Sequence, residues 1–190
     1  TLTDIDLGRD SLSKSWKLGG TKMFVRNQKG SLSGSADVTL NDFQTEATRS
    51  KNGNAYGIGL KGSYDPLGGK VIILPNFSYI LTEARADSDT TDVLSVSLGA
   101  STPIGAQWTG SLTVKQTKTG RNGPDTTVSE LVREDDTFNW TASFNWRKPG
   151  PPNKKIPTLG ITFGETKTNS NILNFDSVTR DANLALTWVF

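Results

Sequence analysis

Apolar residues recur at every second position through almost the whole chain. That period belongs to an extended strand, whose side chains point alternately to opposite faces. Leu32, Ala36, Val38 and Leu40 share one face against Ser33, Ser35, Asp37, Thr39 and Asn41. Tyr56, Ile58, Leu60 and Tyr64 oppose Gly57, Gly59, Lys61 and Ser63. Leu94, Val96, Leu98 and Ala100 oppose Ser95, Ser97, Gly99 and Ser101. Phe138, Trp140, Ala142, Phe144 and Trp146 oppose Thr137, Asn139, Thr141, Ser143, Asn145 and Arg147. The same alternation covers 70–84, 106–117, 158–166 and 183–190. Residues 15–27 also read as extended, with a bulge or kink expected at Gly19-Gly20. About nine strands follow one another with no helical pattern between them, which predicts antiparallel hairpins.

The connections divide into two sets. Short ones fall at 28–30, 65–70, 102–105 and 148–155, and longer polar ones at 45–53, 85–92, 118–136 and 167–181. Successive strands alternate in direction, so short turns are expected at one end of the sheet and long loops at the other. The chain reads as a single domain over 1–190, with a weakly patterned segment at 1–14. It opens on Thr1 with no apolar leader, as a processed protein or a piece of a longer one would.

Composition removes whole classes of chemistry. There is no cysteine, so disulfide scaffolds and thiolate metal sites are out. There is no histidine, so imidazole bases, imidazole switches and the common zinc sites are out as well. The net charge is +2, which gives no field that favours nucleic acid. No catalytic constellation, metal site or cofactor motif emerges, and the chain does not read as an enzyme. Gly57-Ile58-Gly59 and Gly68-Gly69-Lys70 precede no helix, so neither is a phosphate loop.

An alternating sheet suits a soluble β-sandwich or a membrane barrel, and three features favour the barrel. The polar face is Ser, Thr, Asn and Gly rather than the Lys and Glu of a water-facing sheet. Aromatic residues gather near strand ends: Tyr64, Trp108, Phe144 and Trp146, with Trp188 and Phe190, toward the short turns, and Tyr56, Tyr79, Phe138 and Phe163 toward the long loops. Two aromatic girdles around an aliphatic belt suit the headgroup levels of a bilayer. Short turns at one rim and long loops at the other match the periplasmic and outer faces of bacterial barrels.

The last strand reads Leu184-Ala185-Leu186-Thr187-Trp188-Val189-Phe190. Apolar Leu184, Leu186, Trp188 and a terminal Phe190 at alternate positions resemble the C-terminal assembly signal of Gram-negative outer-membrane β-barrel proteins. The resemblance implies residence in the bacterial outer membrane. It also implies contact with lipid and lipopolysaccharide, and recognition by the barrel-assembly machinery. The fold expected is all-β: an antiparallel up-and-down transmembrane β-barrel with nine or ten strands in this chain, or the C-terminal part of a larger barrel.

The lumenal face would be small and polar, with Asp37, Lys61, Lys115 and Arg147 as its main charges and Asp37–Lys61 as an ion pair between neighbouring strands. Ile72, Leu74 and Ile80 point inward by parity unless the register breaks at Pro75. Small side chains fill a narrow barrel poorly. The sheet is therefore not expected to close by pairing 1–9 with 182–190. Further strands, from upstream sequence or another chain, are expected to complete a wider wall. Three function classes remain: a pore or export channel, a small closed barrel with a structural or adhesive role, and a soluble β-sandwich binding domain. Asp87, Asp89 and Asp92, and Glu134, Asp135 and Asp136, form acidic loops that offer ligands for calcium or for divalent ions shared with lipopolysaccharide, and Lys148, Lys154 and Lys155 in a turn offer contacts to periplasmic partners or headgroups; the simplest reading of each is a solvated surface.

Overall fold

The structure is a computed structural model that describes residues 13–43, 51–126, 128–147 and 156–189. Nine strands form one sheet in the order of the sequence. They are β1 (Ser13–Asn27), β2 (Gly30–Phe43), β3 (Gly53–Tyr64), β4 (Ile72–Ala84), β5 (Thr91–Ile104), β6 (Trp108–Arg121), β7 (Glu134–Arg147), β8 (Ile156–Ser170) and β9 (Ser177–Val189). Every neighbouring pair is antiparallel. One-turn 3₁₀ helices at Asp87–Asp89 and Leu173–Phe175 are the helical pieces among the described residues. No second sheet packs on this one, so the described residues do not form the two layers of a sandwich.

The sheet is open, and β1 and β9 are its edges. Every described side chain of β1 and β9 is exposed. An odd number of alternating strands leaves the two edges running in the same direction, so a direct β1–β9 joint would be parallel. Within the described residues β9 pairs with β8 alone. Residues 1–9 and Phe190 lie outside them.

The strands outrun the sequence reading. β6 continues to Arg121, β7 starts at Glu134, β8 continues to Ser170 and β9 starts at Ser177. These stretches were expected in loops because they carry few apolar residues. Thr119, Thr168 and Thr179 in three of these stretches have high strand propensity, and all four continue the ladder. The connections 85–90 and 171–176 are therefore no longer than 65–71, and among the described connections only 122–133 is long. The two ends of the sheet differ instead in how far polar strand projects beyond the apolar belt.

That belt is slanted against the ladder. One register row runs Lys22, Gly34, Leu60, Phe77, Val96, Gln116, Phe138, Lys167, Val178. On β1 the belt begins at Trp16, on the long-loop side of Lys22, with polar Lys14 beyond it. On β9 it begins only at Ala182, on the short-turn side of Val178, with polar Arg180 beyond it. The upper edge therefore slips by about ten residues across the sheet, and at ~3.3 Å per residue and ~4.8 Å between strands that slope is a tilt of about 40°.

Two local expectations change. The register passes Gly19 and Gly20 without interruption and shifts between Met23 and Val25. Phe24 occupies that bulge, and its ring lies over Gly34, where a Cβ would come within 2.6 Å of a ring carbon. The register is also continuous through Pro75, which pairs with Leu98. Ile72, Leu74 and Ile80 therefore stay on the polar face, and no register break removes them.

The belt has no cover. No large side chain among the described residues is fully buried, and Leu18, Leu98 and Leu184 are 76%, 53% and 69% exposed. The buried positions are small, among them Gly57, Ser95, Gly99, Gly110 and Gly164. Close strand approach explains some glycines directly. A Cβ on Gly53 would collide with the carbonyl of Glu83, whereas one on Gly20 would meet nothing within 4 Å. Gly53→Ala should lower the stability of the refolded protein by about 1–3 kcal/mol, read as a lower denaturation midpoint, while Gly20→Ala leaves the midpoint in place.

Candidate functional site

The polar face of the sheet is lined by short side chains that bond across strands. Ser31 pairs with Ser63 at 2.9 Å, Ser95 with Thr117 at 3.0 Å, Thr137 with Thr168 at 3.1 Å and Ser143 with Thr162 at 3.2 Å. Asn139 Nδ2 donates to Thr166 Oγ1 at 2.8 Å. Each hydroxyl has one proton and two lone pairs, so a cross-strand bond leaves acceptors free toward the open side. Glycines at 57, 59, 99, 160 and 164 add no side chain to this surface. Apolar exceptions include Ile72, Leu74 and Ile80, which are exposed there, with Met23 and Val93 on the same face.

All four expected charges lie at register positions of this face. Asp37 pairs with Gly57 and Gly19, Lys61 with Ser33 and Asn76, Lys115 with Ser97 and Asn139, and Arg147 with Thr158. The partner expected for Asp37 is wrong. Its carboxylate meets Lys17 Nζ at 3.0 Å. Lys61 lies four residues along β3 from Gly57, the residue opposite Asp37, and is too far from it to pair. Asp37 fits because both residues beside it are glycines; a Cβ on Gly57 would stand 2.9 Å from its carboxylate.

The period-two reading missed five inward charges, two of which, Arg121 and Asp135, lie on strand ends expected within the loop 118–136. The bulge at Met23/Val25 reverses the parity of β1, so Arg26 pairs with Ser31 on the polar face. Lys17 lies in the strand that the Gly19-Gly20 pair obscured. Asp181, assigned to a loop by its polar surroundings, sits in β9 opposite Gly164.

The eight girdle aromatics all take outward positions. Tyr56, Tyr64, Phe138, Phe144 and Phe163 are exposed, and Tyr79, Trp108 and Trp146 are half-buried. Trp108 pairs with Trp146, whose Nε1 donates to Gln107 Oε1 at 2.8 Å in the turn below. Trp16, at the upper belt edge on β1, belongs with them and is also exposed. Leu184 and Leu186 are outward and opposite Ile161 and Leu159, and Trp188 is in register with Pro157.

The long-loop rim is tied together. Arg121 Nη1 donates to the Ser88 carbonyl at 2.7 Å, and the Asn122 amide to the Thr90 carbonyl at 3.1 Å. Thr90 Oγ1 accepts from the Ala84 amide at 3.0 Å. Asn171 Nδ2 donates to the Val132 carbonyl at 2.7 Å. Arg133 grips Asp135 through Nη2 at 2.8 Å and Nε at 2.9 Å, and its guanidinium stacks 3.6 Å from the centroid of Phe175. That fork is the strong, planar form of an ion pair. The pleat separates inward Asp135 from outward Glu134 and Asp136, so the acidic run does not converge. No group of three or more metal-ligating residues forms among the described residues. Lys148, Lys154 and Lys155 lie outside them. Arg133→Ala should raise the rate of limited proteolysis within 122–133 about 10-fold, with the strand content unchanged by circular dichroism.

No protein-family model matches the chain, and no curated protein is significantly similar to it.

Proposed function

We propose that this sheet is part of the wall of an outer-membrane β-barrel that serves as a pore or export channel. The slanted belt is the observation that carries the reading. Strands of a membrane barrel lean 35–45° from its axis, and a belt running level with the bilayer must then cross the ladder obliquely. A tilt of about 40° brings the upper edge level, with Trp16, Tyr56, Phe138 and Phe163 along it. A sheet packed in water has no reason to carry such a boundary, and its exposed apolar face would aggregate.

The edges support a wall that is completed by further strands. Unpaired backbone groups cost several kcal/mol each in hydrocarbon. Because β1 and β9 run in the same direction, a strand antiparallel to both fits between them. Small polar side chains on the inner face leave space for water and solute. The last strand adds the resemblance to the outer-membrane assembly signal, and with it the barrel-assembly machinery as a partner during biogenesis. A second reading, a surface scaffold with adhesive loops, draws on the bonded rim and on exposed Val128, Leu131 and Leu173 there.

Leu98 and Leu112 sit within the belt. Leu98→Arg or Leu112→Arg should each cost about 2–4 kcal/mol of folding stability in lipid, measured by denaturant titration in vesicles. Tolerance of both, with folding to a soluble monomer free of detergent, overturns the membrane reading. Removing Phe190, or making Trp188 and Phe190 polar, should lower the amount of heat-modifiable folded protein in the outer membrane; an unchanged amount argues against the assembly signal.

A further inference from the structure

The polar face of the sheet carries an excess of basic residues. Its strand positions hold Lys17, Arg26, Lys61, Lys115, Arg121 and Arg147 against Asp37, Asp135 and Asp181. The outward positions are near balance, with Asp42, Glu83, Asp92, Glu134, Asp136 and Glu165 against Lys14, Lys22, Lys118, Lys167 and Arg180. A chain with 21 basic and 19 acidic residues has no such excess as a whole.

Pairing deepens the imbalance. Two of the inward acids are neutralised, Asp37 by Lys17 and Asp135 by Arg133. Among the described residues Arg26, Lys61, Lys115 and Arg147 form no ion pair and are exposed, leaving Asp181 as the counterweight. These cations are spread along the wall. Arg26 and Arg147 stand at the short-turn end of β1 and β7. Lys61 and Lys115 share a register row, with Asn76 and Ser97 between them. The tilt carries Lys115 nearer to the long-loop mouth than Lys61.

We infer that the pore prefers anions. The inference rests on the channel reading and adds its solute class: small inorganic or carboxylate anions that meet a cation at successive heights. Fixed charges of one sign along a pore set its selectivity, and cationic side chains select anions. Lysine ammonium groups act here as point charges without the fork that grips one planar partner, so the preference is for charge and not for a particular anion. At ~10 Å in water a single lysine favours a monovalent anion about 2-fold.

The test is the reversal potential of the protein extracted from the outer membrane in mild detergent, together with the strands that complete its wall, in planar bilayers under a potassium chloride gradient. Chloride should permeate better than potassium. Lys61→Gln with Lys115→Gln should lower the permeability ratio about 4-fold, and Lys118→Gln, outward and beyond the belt, should leave it unchanged. Heat-modifiable migration confirms that each variant is folded. A conducting pore with equal or cation-favouring permeability, or one indifferent to the double substitution, overturns the anion preference and leaves the channel intact. Folded, inserted protein that conducts nothing overturns the channel and this inference together.

Discussion

Each interior strand, β2 to β8, exchanges backbone hydrogen bonds with a neighbour on either side, and contacts between elements run almost wholly between neighbours in the sequence. No packed layer among the described residues backs this ladder up. An ordinary globular domain spreads its stability over ladder and core, so it tolerates a weak strand pair. Here the pair is the unit. That is why close approach matters at Gly53 and why the Phe24 bulge needs Gly34 beneath it. The solvent on the apolar side has to supply what a core would.

Strand identity and face were legible because the side-chain period is two and one face is apolar. Parity alone put Lys61, Lys115 and Arg147 on the correct face, and it put Ile72 and Leu74 there against chemical intuition. It failed where the pattern rests on something other than hydrophobicity. The bulge at Met23/Val25 inverts parity without a glycine to mark it, which hid Arg26. Strand ends beyond the belt have polar residues on both faces, so Asp181 and Thr168 looked like loop. Partners were less legible than faces. Asp37 and Lys61 are on neighbouring strands, yet register places them apart, and register is set by turns that composition describes poorly.

The same pleat that separates the apolar face from the polar one also separates charges. Within 134–136 it sends the flanking acids outward and the central one inward, where Arg133 holds it. A run that looks like an ion-binding loop in one dimension is divided between two compartments in three. Lys17 and Asp37 show the converse: twenty residues apart in the chain, they meet because β1 and β2 form one hairpin and Gly19 leaves the carboxylate room.

The odd strand number has a topological consequence. β1 is entered from the rim of the long loops, and β9 is left at the rim of the short turns. The two ends of this sheet therefore cannot be joined by a short linker, as the neighbouring termini of many domains can. A circular permutation would need a connector that climbs the full height of the wall, ~40 Å for strands of this length. Under the proposed membrane setting such a connector has to satisfy its own backbone, and between two edges that point the same way it does so as one more strand.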